Sequence, residues 1–305
     1  MIKQTLSFSN PAYLSTSNAQ LVIKTPETTI TRPIEDIGVI ILDNSQITIT
    51  QNAMTLLLEN NIALITSNAK HIPVGMFLNL DGNTLQSNRF QTQIEASEPL
   101  KKSLWQQTVQ AKILNQAAVL KHFGKDVKRM EYLAKTVSSG DTNNCEAQAA
   151  NYYWKIIFED YIKDFSRSRE GEPPNNLLNY GYAVVRAATA RALVGSGLLP
   201  TFGIFHKNQY NAYCLADDIM EPYRPYIDLA VAEKLADGFS ADENLELNSN
   251  IKKCLLTVLE CDCHFEREKS PMLVALTRTA ASLIACFEGK KKKILYPKIY
   301  ESKCP

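Results

Sequence analysis

The apolar positions of this 305-residue chain change rhythm about a third of the way along. Over roughly the first ninety residues they come in short runs: Leu21-Val22-Ile23-Lys24, Thr28-Thr29-Ile30-Thr31 and Gln46-Ile47-Thr48-Ile49-Thr50. Runs of this length, rich in β-branched residues and bounded by turn formers, predict strands. Val39-Ile40-Ile41-Leu42 is continuously apolar and stops at Asp43-Asn44-Ser45, which predicts a strand buried on both faces. Ile62-Ala63-Leu64-Ile65 reads the same way, and between the two a short helix is predicted over 52–59, with Leu56, Leu57 and Leu58 as its apolar face.

From about Arg89 the period lengthens. Trp105, Val109, Ile113, Ala117 and Leu120 recur at three-to-four spacing, the mark of one apolar face on a long helix. A second helix is predicted to start after Asn143 and to run through Tyr153, Ile157 and Tyr161. Pro173-Pro174 breaks the pattern, an alanine-rich helical stretch follows over 183–192, and Gly195-Ser196-Gly197 ends it. Further helical segments are expected over about 215–235 and 271–287. The chain is therefore expected to be α+β: a small N-terminal β-sheet domain over residues 1–90, then a larger all-α domain over 91–305.

Composition narrows the class without giving a function. With 45% hydrophobic and 21% charged residues, the chain has the make-up of a folded globular protein. No apolar run approaches the roughly 20 residues that a bilayer span needs. The start Met1-Ile2-Lys3-Gln4 lacks an apolar leader core, and seven cysteines in a chain this long read as intracellular thiols. A cytoplasmic protein with no membrane partner is expected. A net charge of +1 is not the basic footprint of a nucleic-acid binder, so DNA binding would need local charge asymmetry or assembly with a partner.

Three places in the helical half carry groups suited to chemistry. Glu146 follows Cys145 near a helix start signalled by Thr142-Asn143-Asn144; it reads as a first-turn acid favoured by the helix dipole, or as an inward-pointing ligand. His206 lies in an apparent loop between helices, where an imidazole is either structural or functional. Asp217, Asp218 and Glu221 are three and four apart, either a solvated acidic face paired with Arg224 or an acid cluster that needs a cation. Pro222 biases Glu221 away from the α region, and a kink or a helix start is expected there. Two or three carboxylates with one imidazole suit Mg²⁺ or Mn²⁺, and the nitrogen ligand leans toward Mn²⁺.

These residues also sit in recognisable wording. Gly203-Ile204-Phe205-His206, followed by Leu215-Ala216-Asp217-Asp218-Ile219-Met220-Glu221-Pro222-Tyr223-Arg224-Pro225, resembles the histidine and acidic D-x-x-E segment of the CRISPR adaptation integrases, the first CRISPR-associated protein. Cys145-Glu146-Ala147-Gln148-Ala149-Ala150 resembles that family's first glutamate. Pro173-Pro174-Asn175-Asn176-Leu177-Leu178-Asn179-Tyr180-Gly181-Tyr182 and the early Arg32-Pro33-Ile34-Glu35-Asp36-Ile37-Gly38-Val39-Ile40 are similar to its other stretches. Asn208-Gln209-Tyr210-Asn211, with Asp217-Asp218 ahead of Ile219, is most like members from type II systems.

The resemblance spans most of the chain. It implies that Glu146, His206 and Glu221 are metal ligands and that Asp218 is a supporting catalytic carboxylate. It further implies a DNA endonuclease and integrase in which a prespacer 3′-hydroxyl attacks a repeat phosphodiester. The implied partners are double-stranded prespacer and repeat DNA, a second copy of the chain, a small ferredoxin-like second CRISPR-associated protein and other type II adaptation proteins. Dimer and partner contacts would fall to the β domain. Two departures stand out: Gln148 replaces a common small residue, and Asp217 competes with Asp218 for the supporting role.

Lys290-Lys291-Lys292-Lys293 is the densest basic run, and Lys290, Lys291 and Lys292 with Arg186 and Arg224 are the candidate phosphate contacts. A solvated surface cluster is the other reading of the lysines. Arg167 and Arg169 are weaker candidates, and Trp154 and Tyr161 would stack on bases or pack in the core. Cys254 and Cys261-Asp262-Cys263-His264 lack the second C-x-x-C pair of a common zinc site and read as buried thiols. Two other functions share the same residues: a stand-alone metal-dependent nuclease for branched DNA, and a DNA-binding scaffold without chemistry.

Overall fold

The computed structural model describes residues 3–69, 71, 73–79, 81, 83–238, 247–266 and 268–300. The N-terminal part holds β1 (Gln4–Phe8), β2 (Ala12–Ser17), β3 (Gln20–Lys24), β4 (Thr29–Pro33), β5 (Ile37–Leu42), β6 (Ile47–Ile49), α1 (Gln51–Glu59), β7 (Ala63–Ser67) and β8 (Pro73–Phe77). They form two sheets, with strand orders β1-β5-β7-β8 and β4-β3-β2-β6. The β2–β3 hairpin turns through Asn18 and Ala19, both at positive φ, as a tight two-residue turn requires.

The apolar run in β5 is buried on both faces because each face meets a different core. Ile40 joins Leu14, Leu21, Leu57 and Leu64 between the sheets, whereas Val39 and Ile41 join Ile65 in the core of the helical half; Ile37, at the register shift against β1, breaks the alternation and lies in the first core with Ile40. Alternation along one strand thus splices the two halves together.

The helical half holds α2 (Gln86–Ile94), α3 (Glu98–His122), α4 (Lys128–Thr136), α5 (Cys145–Ile156), α6 (Asn175–Gly195), α7 (Cys214–Met220), α8 (Arg224–Ala236), α9 (Ser249–Thr257) and α10 (Met272–Phe287), with β9 (Asp262–His264) and β10 (Lys269–Pro271) as a small hairpin before α10. All five residues of the predicted α3 stripe are buried. Their helix packs against α4, α5 and α8 and the turn at 221–223, so it is covered on several sides. The expected helix through Tyr161 ends instead at Ile156; residues 157–164 are turns that bring Phe158 back onto Trp154 and Phe165. At Pro222 a 3₁₀ turn, Glu221–Tyr223, joins α7 to α8; Glu221 itself keeps right-handed helical angles (φ −51°, ψ −46°), so the expected departure of a pre-proline residue from the α region does not occur. Behind it, buried Asp228 accepts hydrogen bonds from Tyr153 and Tyr182, and burial pushes its carboxyl up to about 7.

Candidate metal centre

One face of α3 assembles the site. Fully buried Trp105 stacks on Phe205 (centroids 4.2 Å apart) and meets the His206 ring edge-on at 5.6 Å. Two turns on, Lys112 Nζ lies 2.6 Å from Glu146 Oε1 and 2.6 Å from Glu221 Oε2. Three residues further, Asn115 donates to the Pro222 carbonyl at 2.7 Å and to that of Pro297 at 3.1 Å, and accepts from Ile299 N. Asn115 therefore ties the turn carrying Glu221 to the C-terminal strap. The sequence reading saw only the apolar members of this face; the signal for the others was a lysine and an asparagine set into an otherwise buried stripe.

Glu146 owes its position to a helix start. Asn144 adopts the left-handed conformation, and the Asp141 carboxylate, rather than the Asn144 side chain, accepts from the backbone N–H groups of Cys145 (2.8 Å) and Glu146 (3.0 Å). The positive end of α5 then favours the Glu146 charge. Glu221 opens the 3₁₀ turn and is only 4% exposed. Burial alone would raise its carboxyl, but Arg224, 3.2 Å from Oε1, and Lys112 outweigh it and hold the group below the usual range. For Lys112 the balance mirrors this: burial lowers the ammonium, while Glu221 and Glu146 lift it above the ordinary lysine value.

His206 sits on the loop between α6 and α7. Buried Gln93 pins that loop by accepting from Leu199 N and donating to the carbonyls of Leu199 and Phe202. Gly203 is needed there, because a β-carbon would come within 2.4 Å of the His206 carbonyl oxygen and 2.7 Å of Asp218 Oδ2. Fully buried Asp218 faces His206 Nδ1 at 2.5 Å through Oδ1, and accepts from Phe205 N at 2.9 Å. With Nδ1 engaged, Nε2 is the ring nitrogen left to act as a ligand.

The hydrogen bond to Asp218, against the opposing effect of burial, raises the imidazole, and the charges of Asp218, Glu221 and Glu146 add to it. Burial likewise raises Asp218, so the pair holds its proton to higher pH. Asp217 is not interchangeable with it: its oxygens face Arg186 Nε at 2.7 Å and accept from Asn211 at 2.6 Å. A ligating imidazole must be free of its Nε2 proton. Metal-dependent activity is therefore expected to rise with pH through a midpoint above the ordinary histidine value of 6.5. Asp218→Asn is expected to lower that midpoint and to cost about 10–100-fold in activity, read from pH–rate profiles.

Glu146 and Glu221 thus meet at Lys112 Nζ, and the charges of both act on His206. Among the described residues, however, no three His, Cys, Asp or Glu side chains are already disposed as a ligating shell. An ammonium stands between the two glutamates. Glu221 Oε2 is buried against Nζ, 2.6 Å away. Two carboxylates around a position already taken by a cation, with an imidazole whose titration both of them influence, are a donor set that fits Mg²⁺ or Mn²⁺.

The other candidates fall in different places. Arg186 faces Asp217 and Arg224 faces Glu221, and the two guanidiniums also lie over Tyr213 and Tyr182. Lys290, Lys291 and Lys292 follow α10 on the surface, with Lys290 paired to Glu288. Arg167 donates to Asn175 and Asn179. Cys261, Cys263 and His264 form no metal cluster among the described residues; Cys261 is half-buried and Cys263 buried. A cavity of about 370 Å³ opens beside His206, lined in part by Lys101, Phe202, Lys207 and Phe287.

Two small sheets fused to a helical half that gathers acids and an imidazole from a helix start, a loop and a 3₁₀ turn define an α+β protein with an acid–imidazole centre. The family described as "CRISPR associated protein Cas1" matches residues 6–259, and the chain belongs to that family. The CRISPR-associated endonuclease Cas1 of Neisseria meningitidis serogroup C (strain 8013) is 38% identical over 297 residues, 97% of this chain and 95% of that one. Among solved structures, a casposase bound to integration product aligns with a TM-score of 0.79 at 20% identity, covering 96% of this chain and 92% of the other. A Cas1 protein from Thermotoga maritima aligns at 0.78 and 16% identity, covering 94% and 98%. At those identities the two structures show a shared fold.

Proposed function

We propose that this chain is a divalent-metal-dependent DNA endonuclease and integrase that inserts new spacers into a CRISPR array, acting by attack of a DNA 3′-hydroxyl on a repeat phosphodiester. The observation that carries this reading is the convergence of Glu146 and Glu221 on one cation position beside His206. It is supported by the Neisseria relative, named an endonuclease, and by the casposase held with its integration product. When bound, Mg²⁺ or Mn²⁺ supplies charge neutralisation at the phosphodiester.

The protein supplies the geometry. Glu146, Glu221 and His206 Nε2 are the ligands, Asp218 holds the imidazole by Nδ1, and Trp105 with Phe205 fixes the ring from the side. As the attacking hydroxyl oxygen bonds to phosphorus it gives up its proton, the bond to the leaving 3′-oxygen breaks, and that oxygen takes up a proton in turn. Lys101 and Lys207 line the cavity beside His206 and suit the DNA backbone. Lys290, Lys291 and Lys292 offer a second basic surface, while Arg186 and Arg224 act through the acids they face.

The partners follow from the same reading: prespacer and repeat DNA, a second copy of the chain, and a small ferredoxin-like second CRISPR-associated protein. Solved complexes in which Cas1 is joined to Cas2, and a Cas1–DNA complex, support it. A nearly neutral subunit suits such an assembly, because modest basic surfaces on several subunits sum along one duplex. We assign residues 1–90 to dimer and partner contacts and 91–305 to catalysis, with type II adaptation proteins as further partners in the cytoplasm. No helix among the described residues is long and apolar enough to cross a membrane.

The test is strand transfer from a labelled prespacer into repeat DNA, with and without Mn²⁺ and the small partner. Integration that requires both is the expected result. Cleavage of branched DNA with no integration product would mark a stand-alone nuclease, and binding with no product would mark a scaffold.

A further inference from the structure

We infer that Lys112 is a built-in competitor of the divalent ion: its ammonium takes the position between Glu146 and Glu221 that the ion needs, and one must leave for the other to enter. This rests on the assignment of those glutamates as ligands. Nζ sits 2.6 Å from an oxygen of each. Metal–oxygen ligand distances are about 2.0–2.6 Å, so an ion shared by the same two oxygens would overlap the ammonium.

Charge leads to the same conclusion. Two carboxylates are faced by two cations, Lys112 and Arg224, so the cluster is balanced as it stands. A divalent ion entering beside both would leave two uncompensated positive charges in a largely buried site, which is strongly unfavourable. Of the two residents, Lys112 is the one able to leave. Arg224 is flanked by Glu221 and the Tyr182 ring, 5.0 Å from its guanidinium carbon, whereas the lysine ammonium rides on a flexible four-carbon stem. The gain from such a residue is positional. Glu146 and Glu221 come from the start of α5 and the 3₁₀ turn after α7, and their mutual repulsion would spread them if no cation stood between.

The test is calorimetric titration of Mn²⁺ into the EDTA-treated, dialysed full chain, comparing wild type with Lys112→Met and Lys112→Gln, alongside melting curves. Both variants are expected to bind Mn²⁺ about 5–150-fold more tightly, the range over which two ligands coupled through one site shift each other. They are also expected to melt lower without the ion and to gain more on adding it. Equal or weaker binding than wild type would overturn the inference. If wild type and Glu221→Gln bind Mn²⁺ alike, the ligand assignment fails instead. Should neither lysine variant fold, acylation of Lys112 in wild type, read by peptide mass spectrometry, decides: labelling that rises with Mn²⁺ supports displacement, and unchanged labelling overturns it.

Discussion

Glu221→Gln is expected to lower strand transfer by about three orders of magnitude at saturating Mn²⁺. Loss of one charged ligand removes several kcal/mol of phosphoryl charge stabilisation, and each 1.36 kcal/mol is tenfold in rate. The same change leaves Lys112 and Arg224 short of a shared counter-charge in a buried site. A stability loss of about 3 kcal/mol or more in the metal-free protein is expected with it. Single-turnover kinetics and denaturant melts separate the two effects. A variant within tenfold of wild type would remove Glu221 from the ligand set. The corresponding change at Glu146 is expected to harm activity comparably but stability less, because its side chain is 25% exposed against 5% for Glu221.

Trp105→Ala is expected to be the most destabilising single change near the site, by about 3–5 kcal/mol, the usual cost of emptying a buried aromatic position. Trp105 is fully buried, and its ring backs both Phe205 and His206. Activity should therefore fall in protein that is still folded, because the loop holding the imidazole loses its stacking partner. Trp105→Phe keeps part of that surface and should recover most of the stability. Thermal melts and strand-transfer assays on both variants check this; an alanine variant with unchanged activity would show that the stack does not position His206.

Much of the fold was legible where one periodicity ruled a long segment. The α3 stripe and the doubly buried β5 were each readable from local pattern, since burial on a helix or strand repeats at fixed spacing. Some strands were not. β9, Asp262-Cys263-His264, and β10, Lys269-Ser270-Pro271, hold no β-branched residue to mark them. β1, Gln4–Phe8, does alternate, but all its residues are at least partly exposed, so the pattern is faint.

The candidate site was legible as residue types and wording but not as partners. Glu146, His206 and Glu221 stand out as unusual groups near helix ends. Lys112 does not, because a lysine in a long helix reads as surface, and its two partners lie far along the chain. Spacing also could not divide the work of Asp217 and Asp218. Only the fold sends one to Arg186 and the other to His206. Nor could spacing alone show that Arg224, a candidate phosphate contact, also faces the glutamate three residues before it.

The most direct measurement is the anomalous-difference map of crystals soaked in Mn²⁺. One peak is expected about 2.0–2.6 Å from a carboxylate oxygen of Glu146, a carboxylate oxygen of Glu221 and Nε2 of His206. A peak elsewhere, or none while both glutamates stay on Lys112, would contradict the assignment.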